Sequence, residues 1–337
     1  MKFNFEKKTA ALALFGAALL LLIANLLVGI FNKTPEPNIY QSKINISGID
    51  SLFLFSLHSF GINNDWIKET GNSKNIKSYL VDIPVDLSIP VVLAELNLNF
   101  SNKRLKIFSE EKNASGKTET KIYAGNKILL KSEFRYDDTI HRIAGTISFI
   151  LSDYKLNDSK DSLLLHIPEP FSPLMLPSMK NFDIARFITE KKKTFSILLN
   201  DKITEIKYKL RDDYSQDRIK STLFTIIKDF SGASFFVIDN NSDLFHSDIF
   251  KLIKGELDKR NIKLLELGNL VNLEYENELQ IKNDFDYLIK NMGDGRSQII
   301  VVNYEGFEKL IPEINRFKKI GYKVVHPSLV IQKQEEN

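Results

Sequence analysis

The chain of 337 residues carries 46 Lys and Arg against 43 Asp and Glu, a formal net charge of +3, and no cysteine. This near balance, without a basic tail or a basic patch interleaved with aromatics, argues against nucleic acid as a partner. The lack of Cys excludes disulfides, thiolate catalysis and Cys-bound zinc, and it leaves the compartment open because exported domains can also lack disulfides.

Thr9 to Phe31 is apolar throughout apart from Asn25, long enough at the helical rise to cross a hydrocarbon core of roughly 30 Å. It reads as a single-pass transmembrane helix. Lys2, Lys7 and Lys8 precede it and only Lys33 follows closely, so residues 1–8 are expected in the cytoplasm and the bulk of the chain on the extracytoplasmic side. A cleaved signal peptide is the competing reading. It needs a shorter apolar core and a small-x-small exit, and Val28-Gly29-Ile30-Phe31 is a poor exit, which favours an uncleaved anchor. Residues 32–43, with Lys33-Thr-Pro-Glu-Pro37 at their start, form a stiff linker. The roughly 300 residues beyond the apolar run allow two modest domains.

Residues 44–140 read as a small α+β domain. The run from Ile49 to Phe60 is apolar, and its periodicity does not choose between helix and strand. Tyr79 to Pro84 predicts a strand stopped by proline, and Leu87 to Phe100 carries apolar residues at helical spacing. Leu105 to Phe108, Thr120 to Ala124 and Ile128 to Tyr136 predict three antiparallel strands, with turns at residues 113–116 and at Gly125-Asn126. No catalytic cluster is visible here, so packing, spacing or partner binding is the expected role.

Residues 141–332 change pattern to strands alternating with helices, with residues 333–337 as a tail. The stretch Gly145-Thr-Ile-Ser-Phe-Ile-Leu-Ser-Asp153 is an unbroken apolar β-run that ends in a hydroxyl and a carboxylate, as expected of a strand buried on both faces. Apolar runs at residues 163–167, 171–179, 194–199, 233–238, 262–267, 298–302 and 322–325 follow it. Helical patterns at 183–193, 217–230, 248–260, 278–291 and 306–320 lie between them. Such alternation predicts an α/β fold of right-handed βα units, in either a doubly wound sheet or a partial β/α barrel. Four strands end in polar residues: Ser152-Asp153, Asn200-Asp201, Asp239-Asn240-Asn241 and Asn303-Tyr304. Parallel strands would gather these ends on one face, where either sheet class places its site. Turn and cap formation accounts for the same residues without any ligand, since Asn, Asp and Ser are the usual strand-to-helix loop residues.

The order of Gly145 to Asp153, Phe171-Ser-Pro-Leu-Met-Leu-Pro177, Phe195-Ser-Ile-Leu-Leu-Asn200, Val237-Ile-Asp-Asn-Asn-Ser242, Ile299-Ile-Val-Val-Asn303 and Gly321-Tyr-Lys-Val-Val-His-Pro-Ser328 resembles the divergent polysaccharide deacetylase family. The resemblance lies in the order and apolar pattern of the elements rather than in identities. It implies a deacetylase-type partial β/α barrel. The related hydrolases remove acetyl groups from amino sugars with a divalent metal held by one Asp and two His, beside a second Asp acting as base. Carried over by position, Ser152 takes the first of the family's two aspartates and Asp153 the second. The His-x-Pro-Met position falls on Leu199-Asn200-Asp201, the Asn-His-Met-Gly-Ser position on Asp239-Asn-Asn-Ser242, and the late Ile-Gly-His on Val301-Val302-Asn303. The base position is therefore Ser, and the histidine positions hold Asn or a neighbour of Asn.

Imidazole normally supplies the affinity that a hydrolytic metal needs, and neutral amide oxygens are weak substitutes. No cofactor is expected, the alternative being a divalent cation such as calcium or magnesium held by Asp153, Asp201 and Asp239. Of the histidines, His58 and His141 lie away from the strand ends, His166 sits in an apolar run, His326 ends the last strand, and His246 alone follows the Asn cluster. Trp66 and most Phe residues read as core, while Phe245 and Tyr304 stand where a sugar ring could stack.

The sequence thus leads to a membrane-anchored cell-envelope protein with a degenerate deacetylase-like domain, a pseudoenzyme binding an envelope glycan or an envelope protein. An active carbohydrate deacetylase using an oxygen-ligand metal site, and a membrane-tethered assembly factor with its partner surface on the amino-terminal domain, are the alternatives.

Overall fold

The computed structural model describes residues 46–73, 76–112, 116–142, 144–153, 167–293 and 295–336. The chain divides into two compact units, Met1–Asp50 and Ser51–Asn337. Of the first unit only the opening turn of helix α1 (Ile46–His58) is described. The apolar run of residues 9–31 lies outside the described residues, and among the described ones no helix is long and apolar enough to cross a membrane.

The second unit opens with the apolar run whose conformation the sequence leaves undecided, and it is helical. Phe53 and Leu57, four residues apart, share one helix face and are fully buried. Phe53 stacks on Tyr79 at 5.4 Å and meets Phe134 edge-on at 6.3 Å. Both rings belong to a five-stranded sheet of order β1-β2-β5-β4-β3, formed by β1 (Ile67–Ser73), β2 (Ile76–Pro84), β3 (Lys106–Glu111), β4 (Thr118–Ala124) and β5 (Lys127–Asp137). Helix α2 (Ile89–Ser101) buries Ile89, Val92, Leu96 and Phe100. Strand β1 is absent from the sequence reading because Lys68-Glu-Thr-Gly-Asn72 is polar, as suits a sheet edge. Strands β3, β4 and β5 pair antiparallel, as the sequence predicts, and β2 joins the other side of β5 in parallel.

Arg142 joins this sheet to the larger one. Its side chain is 8 % exposed; Nε and Nη2 donate to Asp86 Oδ2 at 3.0 and 2.7 Å, and Nη1 donates to the carbonyls of Phe60 and Lys319 at 3.2 and 2.8 Å. Gly61, at φ +73°, lies where a Cβ would come within 2.8 Å of the Ile320 carbonyl oxygen, so the closeness of the joint requires glycine.

The larger sheet is parallel, in the order β10-β9-β8-β7-β6-β12-β11. Its strands are β6 (Thr146–Ser152), β7 (Ser172–Met175), β8 (Phe195–Leu199), β9 (Ala233–Ile238), β10 (Leu264–Glu266), β11 (Val271–Leu273) and β12 (Ser297–Asn303). The helices are α3 (Met179–Glu190), α4 (Gln216–Asp229), α5 (Asp243–His246), α6 (Ile249–Asp258), α7 (Glu278–Asn291) and α8 (Tyr304–Lys319). Strands neighbour each other in chain order from β6 to β10, and β12 returns to the free side of β6. That circular order is that of a curled β/α barrel; a doubly wound sheet reverses at a switch point. Strands β10 and β11 follow one another with only the 3-10 turn Leu267–Asn269 and Leu270 between them, β10 pairing with β9 and β11 with β12. They act as one strand that changes partner; the sequence predicts only its first part, at residues 262–267, and β11 is missed.

Burial on both faces explains the unbroken apolar runs. One face of β6 sends Ile147, Phe149 and Leu151 into the core shared with the helices; Phe149 meets Phe307 at 5.1 Å and Phe285 at 6.0 Å. The other face gathers Ile150, Leu174, Phe235, Val237, Ile299 and Val301 against Val330 and Ile331. The last two belong to α9 (Pro327–Glu336), a helix that the sequence reading leaves as loop and tail. Strand β13 (Lys323–Val324) precedes it, pairing with the half of β6 that short β7 does not reach.

His326 pins α9 to the amino-terminal end of β8. Its Nδ1 accepts the Ser328 backbone N–H at 3.3 Å, so in the neutral ring Nε2 carries the proton and donates to Thr194 Oγ1 at 2.6 Å. Burial pushes its pKa down from 6.5 to about 4. A depressed histidine pKa means that the unfolded chain binds the extra proton first. The stabilisation is complete above pH 6.5 and is lost as the pH falls from there through about 4. Between pH 7.5 and pH 5 the loss is expected to be about 1–2 kcal/mol for a half-buried ring. Urea unfolding at both pH values checks it, with His326→Gln showing a correspondingly smaller pH dependence.

Candidate functional site

The carboxyl ends of the parallel strands collect the polar residues singled out from sequence. Asn303 and Ser152 are register partners on β12 and β6, and the Asp239 N–H bonds the Leu199 carbonyl at 3.2 Å, so β8 and β9 end level. Most of these side chains are engaged with nearby backbone. Asn200, 3 % exposed, accepts the Lys202 N–H at 3.0 Å through Oδ1. Asp201 takes the first N–H groups of α5 on both oxygens, Asp243 at 2.6 Å and Leu244 at 3.1 Å, a carboxylate at a helix start. Asp239 Oδ1 accepts from the Asn241 N–H at 3.0 Å, a turn of the Asx kind. Asn303 caps α8 through the Gly306 N–H at 2.8 Å.

Ser152 is half-buried, and Asp153 is exposed with φ +55°, so the chain turns sharply out of β6 there. Neither side chain makes a hydrogen bond to a described residue, and residues 154–166, which follow directly, lie outside the described residues together with His166. Asn241 is exposed. Asn240 belongs to a group that sequence reasoning missed: its Nδ2 donates to Glu266 Oε2 at 3.3 Å, its Oδ1 accepts the Gly268 N–H at 2.6 Å, and Asn269 Nδ2 reaches the same Glu266 oxygen at 3.0 Å. Glu266 ends β10; the sequence reading runs that strand on to Leu267, which hides a charged strand end.

The aromatic and histidine candidates fall on either side of expectation. His246 is exposed on α5, edge-on to Phe245 at 5.3 Å, and Phe245 leans on Phe250 at 4.7 Å, so this ring is partly spent in packing. Tyr304 opens α8, half-buried. His141 is exposed ahead of β6, and His58 Nδ1 bonds the Ile62 carbonyl at 2.8 Å. Trp66 is half-buried in a 3-10 turn rather than in the core.

No family model matches the sequence, and no curated protein matches it. Solved structures similar to this chain are carbohydrate esterase family 4 proteins. A mutant of BA3943, described as a CE4 family pseudoenzyme with restored enzymatic activity, aligns with a TM-score of 0.39 and 10 % identity, over 66 % of this chain and 90 % of that one. The peptidoglycan deacetylase PdaC from Bacillus subtilis aligns with a TM-score of 0.37 and 14 % identity, over 58 % of this chain and 96 % of that one. PdaA from Bacillus subtilis, a family 4 carbohydrate esterase, aligns at 0.34 and 12 %, over 57 % and 82 %.

Whether these strand ends fit a hydrolytic metal follows from their donors. Among the described residues no three His, Cys, Asp or Glu side chains converge to hold an ion. Asp201, with both oxygens on the start of α5, is turned to a helix and would lose those bonds by ligating. The described donor set does not fit the two-histidine, one-aspartate centre.

Proposed function

We propose that the β/α barrel is a deacetylase-like domain given over to binding, a pseudoenzyme module that presents the carboxyl ends of its strands to an envelope glycan or an envelope protein. In this reading residues 9–31 anchor the chain in a membrane and hold both sheets on the extracytoplasmic side. The observation that carries it is Asp201 with both carboxylate oxygens on the first N–H groups of α5. A residue next to an expected ligand position has become a helix cap. The amides of Asn200 and Asn303, at the other expected positions, serve backbone in the same way. Caps of this kind contribute about 1 kcal/mol each and need no ligand to account for them. What remains at the mouth is polar and hydrogen-bonding, the neutral Ser152, Asn240 and Asn241 with the carboxylates of Asp153 and Asp239, and Tyr304 at the start of α8, a set suited to sugar hydroxyls or to peptide.

Elemental analysis of the purified chain, after separate incubation with zinc, calcium and magnesium and removal of excess ion, tests this. No stoichiometric ion is expected, and Asp153→Ala should leave the metal content unchanged. An ion bound one to one and lost in Asp153→Ala would overturn the reading in favour of an oxygen-ligand deacetylase.

A further inference from the structure

Helices α1 and α2 lie side by side on the five-stranded sheet, Asn99 Nδ2 donating to Ser56 Oγ across them at 2.9 Å. With Phe53 and Leu57 turned to the sheet, a step of about 100° per residue turns Phe55 away from it. With Val92, Leu96 and Phe100 turned inward on α2, the same step points Val91, Ala94 and Leu98 outward. Large apolar side chains stand among the outward residues, Phe55 68 % exposed, Leu98 63 % and Val91 53 %, beside the polar Ser51, His58, Asn97 and Ser101. Glu95 is the sole charge in α2, and it leans sideways onto Lys319 at 2.8 Å. A helix facing water ordinarily carries polar and charged residues outward, and large apolar side chains exposed on two neighbouring helices with a single charge on α2 mark a contact surface.

We propose that this outer face of α1 and α2 rests on a lipid bilayer and seats the small domain against it. The proposal rests on the reading of residues 9–31 as an anchor. Residues 32–45 separate that run from α1, and at no more than about 3.5 Å per residue they reach at most about 50 Å, which keeps α1 near the bilayer that holds the run. Charge favours the same occupant. The turn leaving α2 exposes Lys103, Arg104 and Lys106, and basic residues at a bilayer surface are attracted to anionic headgroups by about 1 kcal/mol each. A second copy docked face to face would bring another such basic cluster to the same rim.

The natural absence of cysteine makes the test clean. Single variants Leu98→Cys and Tyr287→Cys, the latter on exposed α7 of the barrel, are labelled with a fluorophore in the 337-residue chain and reconstituted in vesicles of phosphatidylcholine and phosphatidylglycerol. Quenching by a lipid-borne nitroxide is expected to be several-fold stronger at residue 98 than at 287, and quenching by aqueous iodide several-fold weaker. Equal iodide quenching at both positions, with the chain still bound to vesicles, overturns the proposal and leaves the anchor standing. Shielding of residue 98 from both quenchers overturns it in favour of a protein surface, a second copy if label-to-label contact rises with concentration. A chain that does not sediment with vesicles removes the anchor reading as well.

Discussion

Phe149→Ala is expected to destabilise the protein by about 3–5 kcal/mol, the range for deleting a fully buried aromatic side chain. Phe149 is fully buried at the middle of β6, between Phe307 of α8 and Phe285 of α7. The ring therefore ties the central strand to two helices at once, and partial collapse of one cannot fill the space left beside the other. Phe149→Leu keeps much of the volume and should cost less than half as much. Denaturant titration followed by far-ultraviolet circular dichroism measures both. A loss below about 1 kcal/mol for the alanine variant would mean that β6 is not packed between these helices.

Arg142→Ala should cost about 2–4 kcal/mol, because it strips two backbone carbonyls and one carboxylate of their shared donor. Asp86 is 48 % exposed and is rehydrated on loss of its partner, so the cost falls mainly on the carbonyls of Phe60 and Lys319 at the joint. Arg142→Lys retains the charge and loses the fork, and it should recover less than half of the stability. The two variants also report on cooperativity. If the joint holds the two sheets as one unit, both sheets unfold in a single transition in the parent and separate into two in Arg142→Ala, visible by calorimetry.

Much of this fold is legible in sequence because the parallel strands are buried on both faces. Gly145 to Asp153 and Ala233 to Ile238 are continuous apolar runs, and they are strands β6 and β9 with nearly the expected bounds. Helix α7 matches its apolar spacing residue for residue, from Glu278 to Asn291. The elements missed have weak local signals. Strand β1 is polar because it lies at an edge; the split of β10 from β11 is set by which neighbour each half meets; α9 begins at Pro327, which reads equally well as a breaker. Run 49–60 is ambiguous in sequence because Leu52, Leu54 and Phe55 stand beside the buried Phe53 and Leu57 positions and blur the helical period.

At the strand ends, the positions were legible and the uses were not. A residue type such as Asp201 or Asn303 is equally suited to a ligand and to a cap, and only the distance to a backbone N–H chooses between them. The Asn240–Glu266 pair depends on two strands lying side by side, a relation that no local pattern encodes.

The position of β6 between β7 and β12 bears on the order in which the chain folds. Thr146 pairs with Ser297, so the central strand waits for a partner made long after it during synthesis. Contacts of such wide sequence separation slow folding, and a strand edge left open in the interval is prone to pair with other chains. The face lined by Ile150, Val237 and Val301 stays uncovered longer still, until Val330 and Ile331 arrive. A nascent chain halted before α9 therefore displays an apolar trough, and that intermediate is the species that a chaperone would have to shield.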